Sequence, residues 1–159
     1  MYKHILVPLD GSKLSDYVFP HLETVVKGCE KPHVTLLRVV EPVTMAFGTE
    51  AVTLAAVQQL QTMMDQQAED AKKYLNNAAG KLRKQGINIS TVQLEGLPAE
   101  MIIGYAEKNK ADLLIMSTHG RSGISRAIFG SVAEKVLRGV CCPVMMIRAP
   151  ECGILFRGK

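Results

Sequence analysis

Residues 111–137 read ADLLIMSTHGRSGISRAIFGSVAEKVL, and three kinds of chain meet in them. Residues 111–117 form a short, nearly continuous apolar run, the pattern of a strand covered on both faces. Residues 116–137 then turn small and basic, with Gly120, Gly123, Gly130, Arg121, Arg126, four serines and a threonine. From Ser131 the chain is amphipathic at helical period. Ser131 and Glu134 stand at the S-x-x-E spacing of a capping box, and Gly139 closes the run. A buried strand that passes through a glycine-rich segment into a helix is half of a βαβ unit, which implies an α/β protein.

The same alternation runs outward on both sides. Upstream, residues 4–9 (HILVPL) are another buried strand, followed by the turn Asp10-Gly11-Ser12 with Ser12 as a candidate helix cap. Leu14, Val18, Leu22, Val25 and Val26 then recur at helical spacing up to Gly28, and Pro20 inside that run is expected to distort the helix. Residues 33–40 (HVTLLRVV) are a second strand, ended by Glu41-Pro42. Residues 43–50 read as a loop. A long helical pattern follows from Leu54 to Leu82, with Thr49 and Thr53 as alternative caps, Met63-Met64 as core filler and Gly86 as its end.

Residues 87–94 (INISTVQL) alternate, as an edge strand with one exposed face does. Pro98 suits the first turn of a helix reaching about Asn109. Downstream, Pro143 opens a last strand, VMMI. The order β-α-β-α-β-α-β-α-β with helical crossovers predicts a doubly wound, parallel sheet with helices on both faces.

Composition narrows the classes. The chain of 159 residues suits one domain, and 47% hydrophobic with 21% charged residues is ordinary for a globular protein. A net charge of +4 comes from scattered residues, so no basic stripe asks for nucleic acid. The four cysteines, Cys29, Cys141, Cys142 and Cys152, make no C-x-x-C pair and read as thiols of a reducing cytosol. The N-terminal residues are too short and charged a run for a signal peptide, and no apolar run approaches the ~18 residues of a membrane helix. The expected location is cytoplasmic, without membrane insertion.

The glycine-rich segment leaves the carboxyl end of a central strand, where open α/β sheets bind ligands. It enters a helix whose first N–H groups lack intrahelical partners and carry the positive end of the dipole. Glycine lets backbone approach an anion without an intervening Cβ, so Gly130 and Ser131 present N–H groups and a hydroxyl suited to phosphate. On spacing alone two readings stand, a phosphate cradle or a plain connector. Stricter patterns are absent: there is no G-x-x-x-x-G-K-[ST], no G-x-G-x-x-G and no G-x-S-x-G in the segment. Asp10 likewise has two readings, a ligand-facing carboxylate or a turn residue capping the next helix. His119 reads as a solvent-facing loop residue, and His4, His21 and His33 form no catalytic pattern.

STHGRSGISRAIFGS resembles the nucleotide loop of the universal stress protein family, G-x2-G-x9-G-[ST]. Gly120 and Gly130-Ser131 fit, and Ser117 replaces the first glycine. ILVPLDGS is similar to that family's first strand and turn, LLRVVEP to its second strand, GLPAEMI to its third helix entry and GSVAEKVL…CPVMMIR to its C-terminal signature. The likeness places one domain over residues 1–148 and leaves 149–159 as a C-terminal tail.

The resemblance implies a five-stranded parallel sheet of order 3-2-1-4-5 in an ATP-binding dimer. Carried over position by position, Asp10 would face the ribose or a phosphate-bound magnesium ion. Pro8 and Leu9 would line the base and ribose pocket, and Val39 would meet adenine through its backbone. Met116 and Ser117 would touch the nucleotide, while Gly120, Gly130, Ser131 and Val132 would cradle ribose and phosphates. The expected role is a stress-response or signalling switch that holds ATP with little or no turnover. Nucleotide occupancy would order residues 116–137 for an unknown protein partner to read. Hydrolysis, if any, would be slow, because no base stands out beside Asp10. A nucleotide-free dimeric interaction module of the same fold is the alternative. A phosphorylated receiver domain is set aside, since it needs an acidic cluster and a lysine after the last strand. The last strand is the expected dimer edge, with Ile154, Leu155 and Phe156 of the tail packing on a partner or on the sheet edge.

Overall fold

Each apolar run of the sequence becomes a strand, and each run of helical period becomes a helix. A computed structural model describes residues 1–42, 53–118 and 130–148. In chain order these residues form β1 (His4–Pro8), α1 (Val18–Lys27), β2 (His33–Val40), α2 (Leu54–Arg83), β3 (Asn88–Glu95), α3 (Pro98–Lys108), β4 (Leu113–Thr118), α4 (Ser131–Gly139) and β5 (Val144–Arg148). The strands pair in parallel in the order β3-β2-β1-β4-β5. The expected sheet order therefore holds, and both β3 and β5 are edges.

Side-chain alternation along the strands feeds two cores. Ile5, Val7, Leu9, Val34, Leu36 and Ile115 face α1 and α2, against Val18, Leu22, Leu75, Ala79 and Leu82. Leu6, Leu37, Leu114 and Met116 face α3 and α4, against Ala99, Ile102, Ala106, Ala133 and Val136. The chain thus winds one way through α1 and α2 and the other way through α3 and α4. The reversal falls between β1 and β4.

Three local expectations are corrected. Pro20 does not distort α1, because the helix begins at Val18 and Pro20 lies in its first turn, where an N–H has no intrahelical partner to lose. The residues before it, Ser15–Tyr17, form a single 3-10 turn, and Ser12 Oγ accepts from the Ser15 amide at 3.2 Å. Ser131 is not the cap of α4. Gly130 occupies that position and Ser131 is the first helical residue, while the Glu134 carboxylate accepts from Arg138 at 3.1 Å. The Met63-Met64 pair is not core filler, since Met63 is 46% exposed and the first buried residue of α2 is Ala71. A helix of 30 residues is ~45 Å long and overshoots an eight-residue strand of ~26 Å.

Other features agree with their sequence signals. Thr53 caps α2, its hydroxyl accepting from the Ala56 amide at 3.3 Å; Thr49 lies outside the described residues. Gly139 is the last residue of α4, and its reason is packing: a Cβ there would stand 2.5 Å from Ile103 Cδ1 on α3. Cys29, Cys141 and Cys142 are free thiols, and burial pushes the Cys142 thiol up from its usual range. Among the described residues no helix is long and apolar enough to cross a membrane. The loop 43–50 and the tail 149–159 lie outside the described residues.

The amino ends of the strands carry a polar chain that sequence spacing did not reveal. His4 Nδ1 meets the Asn109 carbonyl at 3.0 Å, so Nδ1 carries a proton and donates it. His4 Nε2 lies 2.9 Å from Thr35 Oγ1. Thr35 Oγ1 lies 3.2 Å from Ser90 Oγ, which lies 2.9 Å from His33 Nε2. This network ties β1, β2 and β3 together at the end of the sheet opposite the crevice described next.

Candidate functional site

The crevice begins where a proline removes a donor. Backbone groups of successive residues in a strand point to opposite neighbours. The Leu9 amide donates to the Leu37 carbonyl at 2.8 Å, and the His4 carbonyl accepts from the Asp112 amide at 3.0 Å. Odd residues of β1 therefore face β2 and even residues face β4. Pro8 is even, and it lacks the N–H that would carry pairing toward β4. Pairing between β1 and β4 joins Ile5 to Leu113 and Leu6 to Leu114 and stops there, while β4 continues to Thr118 in register with β5. The two central strands thus part at their carboxyl ends, at the topological switch point of the sheet.

The walls of this opening follow from the same alternation. Pro8, Val39 and Met116 stand on the side of the sheet that carries α3 and α4, with Val132 packed into the same core. Met116 is 6% exposed, so its side chain belongs mainly to the core. Leu9 is 3% exposed and turns into the opposite core, which leaves its backbone as the part available to a ligand. His33 and Leu37 make their backbone bonds toward β1 and the Val40 carbonyl accepts from Gly96 on the β3 side. Val39 consequently aims its amide and carbonyl toward the β1 side, one pair beyond Leu9. Leu114 donates toward β5, so by alternation Ser117 aims its backbone groups toward β1. Ser117 is buried, 7% exposed, where the family pattern has glycine.

The turn after β1 forms one rim. Asp10 is exposed, and its Oδ1 accepts from the Ser12 amide at 2.9 Å. This bond makes the carboxylate an organiser of its own turn as well as an exposed charge. Gly11 has φ +78°, a left-handed conformation that favours glycine. The other rim is the start of α4. Gly130 has φ −66° and ψ 155°, and a Cβ there would meet nothing within 4 Å among the described residues. Glycine at this point is therefore not required by backbone strain or by packing against them. Among the described residues, nothing bars close approach to the first-turn N–H groups of α4, including those of Ser131 and Val132. Gly120 lies outside the described residues.

Two residues of this region carried no sequence-level role. Arg38 ends the buried part of β2, and its guanidinium lies against Gly11: a Cβ on Gly11 would stand 2.5 Å from Arg38 Nη1. Arg38 Cζ also lies 5.5 Å from the centroid of the Tyr74 ring on α2. The Tyr74 hydroxyl donates to Asp16 Oδ1 at 2.6 Å and lies 3.1 Å from Ser15 Oγ. Burial, then the bond to Asp16, holds the Tyr74 phenol well above its usual ionisation range. A charged residue at the end of an otherwise buried strand was the one available signal for this cluster.

Comparison with known proteins matches this geometry to a family. The universal stress protein family profile covers residues 1–148. The chain is 33% identical over 151 residues to universal stress protein MJ0531 of Methanocaldococcus jannaschii, covering 95% of this chain and 85% of that one. The solved structure of protein MJ0577 from the same organism superposes with a TM-score of 0.78 at 26% identity, covering 94% of this chain and 97% of that chain. More distant structures share the fold. One is an Arabidopsis thaliana family protein with AMP bound (TM-score 0.62, 17% identity, 92% and 91% covered). Another is a universal stress protein in complex with cAMP (TM-score 0.57, 20% identity, 92% and 97% covered). With its strand order, its parted central strands and a profile match over nearly its whole length, this chain belongs to the universal stress protein family.

Proposed function

We propose that this protein binds ATP with magnesium in the crevice between β1 and β4 and acts as a nucleotide-dependent stress-response switch with little or no turnover. The observation that carries this reading is the end of β1–β4 pairing at Leu6 and Leu114, with the glycine-capped start of α4 following β4. Adenine would meet the backbone of Val39 where it faces the β1 side, and the ribose would lie over Pro8 and the backbone of Leu9. Met116 and Ser117 would border the nucleotide. Gly120, Gly130, Ser131 and Val132 would surround ribose and phosphates. Relatives crystallised with AMP and with cAMP support an adenine nucleotide as the ligand class.

The residues present fit magnesium in a limited way. Among the described residues no group of three or more His, Cys, Asp or Glu side chains can hold a metal ion. Magnesium bound through one carboxylate, phosphate oxygens and water needs only one such group, and exposed Asp10 supplies it. When bound, the ion would screen the charge of the phosphates against Asp10.

Mass spectrometry of small molecules released from natively purified protein, followed by calorimetric titration with Mg-ATP, AMP and cAMP, tests this reading. Retained adenine nucleotide, or saturable binding preferring Mg-ATP, is expected. No retained nucleotide and no binding at millimolar concentration would replace the switch by a nucleotide-free interaction module.

Residues 1–148 would act as one cytoplasmic domain, with 149–159 as an appended tail. The proposed assembly is a homodimer through β5, offered to an unknown protein partner. Met145 is 38% exposed on this edge and Met146 is half-buried beside it. Pairing with a second copy across a two-fold axis would cover both the apolar side chains and the unpaired backbone. Met146→Glu is expected to shift sedimentation from dimer to monomer at micromolar concentration; an unchanged dimer would move the interface elsewhere.

A further inference from the structure

The turn proposed to hold nucleotide is closed into a ring of contacts. Gly11 rests on the Arg38 guanidinium of β2, and Arg38 lies over the Tyr74 ring of α2 at 5.5 Å. Tyr74 reaches Ser15 at 3.1 Å and Asp16 at 2.6 Å. Ser15 returns to Ser12 through its hydroxyl, which donates to the Ser12 carbonyl at 2.8 Å, and through its amide, which is shared between the Ser12 carbonyl at 3.1 Å and Ser12 Oγ at 3.2 Å. Ser12 in turn donates its amide to Asp10 Oδ1 at 2.9 Å. The path runs from the turn through β2 and α2 and back to the turn.

The position of Tyr74 on α2 gives the ring a consequence. Ala71 and Leu75 are the first buried residues of that helix, so Tyr74 sits where α2 meets the body of the protein. The preceding residues 54–70 carry no buried side chain, and they extend ~25 Å beyond that point. Any tilt of that exposed half would pivot close to Tyr74, and the ring would pass it to Arg38 and Gly11. Arg38 and Tyr74 lie on the α1/α2 side of the sheet, opposite the side chains of Pro8, Val39 and Met116, so they act on the site through the turn.

We propose that Arg38 and Tyr74 are positioning residues that fix the Asp10–Ser12 turn and couple it to α2. This rests on the nucleotide reading of the crevice only for its effect on affinity, not for the brace itself. Arg38 suits the task because its planar, permanently charged head can pack against backbone on one face and a ring on the other, which a lysine ammonium cannot do. Gly11 completes the fit, since any side chain there would displace the guanidinium. The Tyr74 phenol is held above its usual ionisation range, so its hydroxyl stays a donor to Asp16 as the pH rises.

Amide hydrogen exchange of ligand-free protein tests the brace without any nucleotide. Tyr74→Phe removes one hydroxyl and keeps the ring, and Arg38→Lys keeps the charge and removes the planar stack. Each variant is expected to speed exchange of the amides of residues 11–16 at least tenfold while leaving β4 and α3 unchanged. Calorimetry with Mg-ATP is then expected to show threefold to tenfold weaker binding in both variants. Unchanged exchange at 11–16 in Tyr74→Phe, which is isosteric enough to fold, would overturn the brace. Faster exchange with unaltered Mg-ATP affinity would overturn the positioning role. Should the unmodified protein bind no Mg-ATP, the functional reading falls, while the exchange result still decides the brace.

Discussion

Gly130→Val is expected to weaken Mg-ATP binding at least tenfold while lowering the thermal midpoint by only a few degrees. The two effects separate because the fold asks little of this position. Its φ of −66° and ψ of 155° suit any residue, and a Cβ would meet nothing within 4 Å among the described residues. The structural penalty is then that of a poorer helix cap, on the order of 0.5–1 kcal/mol. For a domain of this size that corresponds to roughly 1–4 °C. A ligand sees the change differently. A branched side chain at the cap holds phosphate away from the first-turn amides, and losing one charge-assisted hydrogen bond costs about 1.5–3 kcal/mol, or ten- to a hundredfold in affinity. Calorimetry and a melting curve on the same preparation read both quantities. Undiminished affinity would mean that phosphate does not approach this backbone, and the cradle would be lost.

The sequence made the strands and their layering legible because each rests on a short-range pattern. Residues 4–9 and 111–117 are nearly continuous apolar runs, and both became central strands covered on two faces. The alternation of 87–94 became an edge strand, Asn88–Glu95, shifted by one residue. The sheet order was a matter of family resemblance, since no local pattern encodes which strand lies beside which. Expectations failed where a residue type had two uses and tertiary geometry chose between them. Pro20 reads as a breaker until the helix start is fixed at Val18, and Ser131 reads as a cap until Gly130 takes that place. The apolar stripe of α2 reads as core over its full length, although the sheet beneath is shorter than the helix and reaches only its last half. Of the proposed site, Pro8 and Val39 came from the family pattern, and Gly130 first from a glycine standing at the start of a helix. Arg38 and Tyr74 came from neither, because their meeting depends on α2 crossing β2 some 36 positions later in the chain, 74 against 38.

A second large effect is expected in the core below the crevice. Leu114→Ala should destabilise the protein by roughly 3–4 kcal/mol, out of the 5–15 kcal/mol typical of a domain. Leu114 is fully buried on a central strand, between β1 and β5, and packs in the layer beneath α3 and α4. Truncation removes three carbons from a site walled by backbone on two sides, so little collapse can refill it. The thermal midpoint is expected to fall by roughly 6–15 °C, and the urea midpoint to fall with an unchanged slope. Leu54→Ala is the contrasting case. Leu54 is 73% exposed at the start of α2, and its loss should change stability by less than about 0.5 kcal/mol. Leu114 is also the partner of Leu6 in the pair where β1 and β4 cease to bond. A cavity there removes support from the point at which the two strands part, so the variant should lose ligand-induced stabilisation along with its own stability. A Leu114→Ala protein melting within 2–3 °C of the parent would mean that the core relaxes into the gap. The crevice would then rest on the turn braced by Arg38 rather than on the packing beneath it.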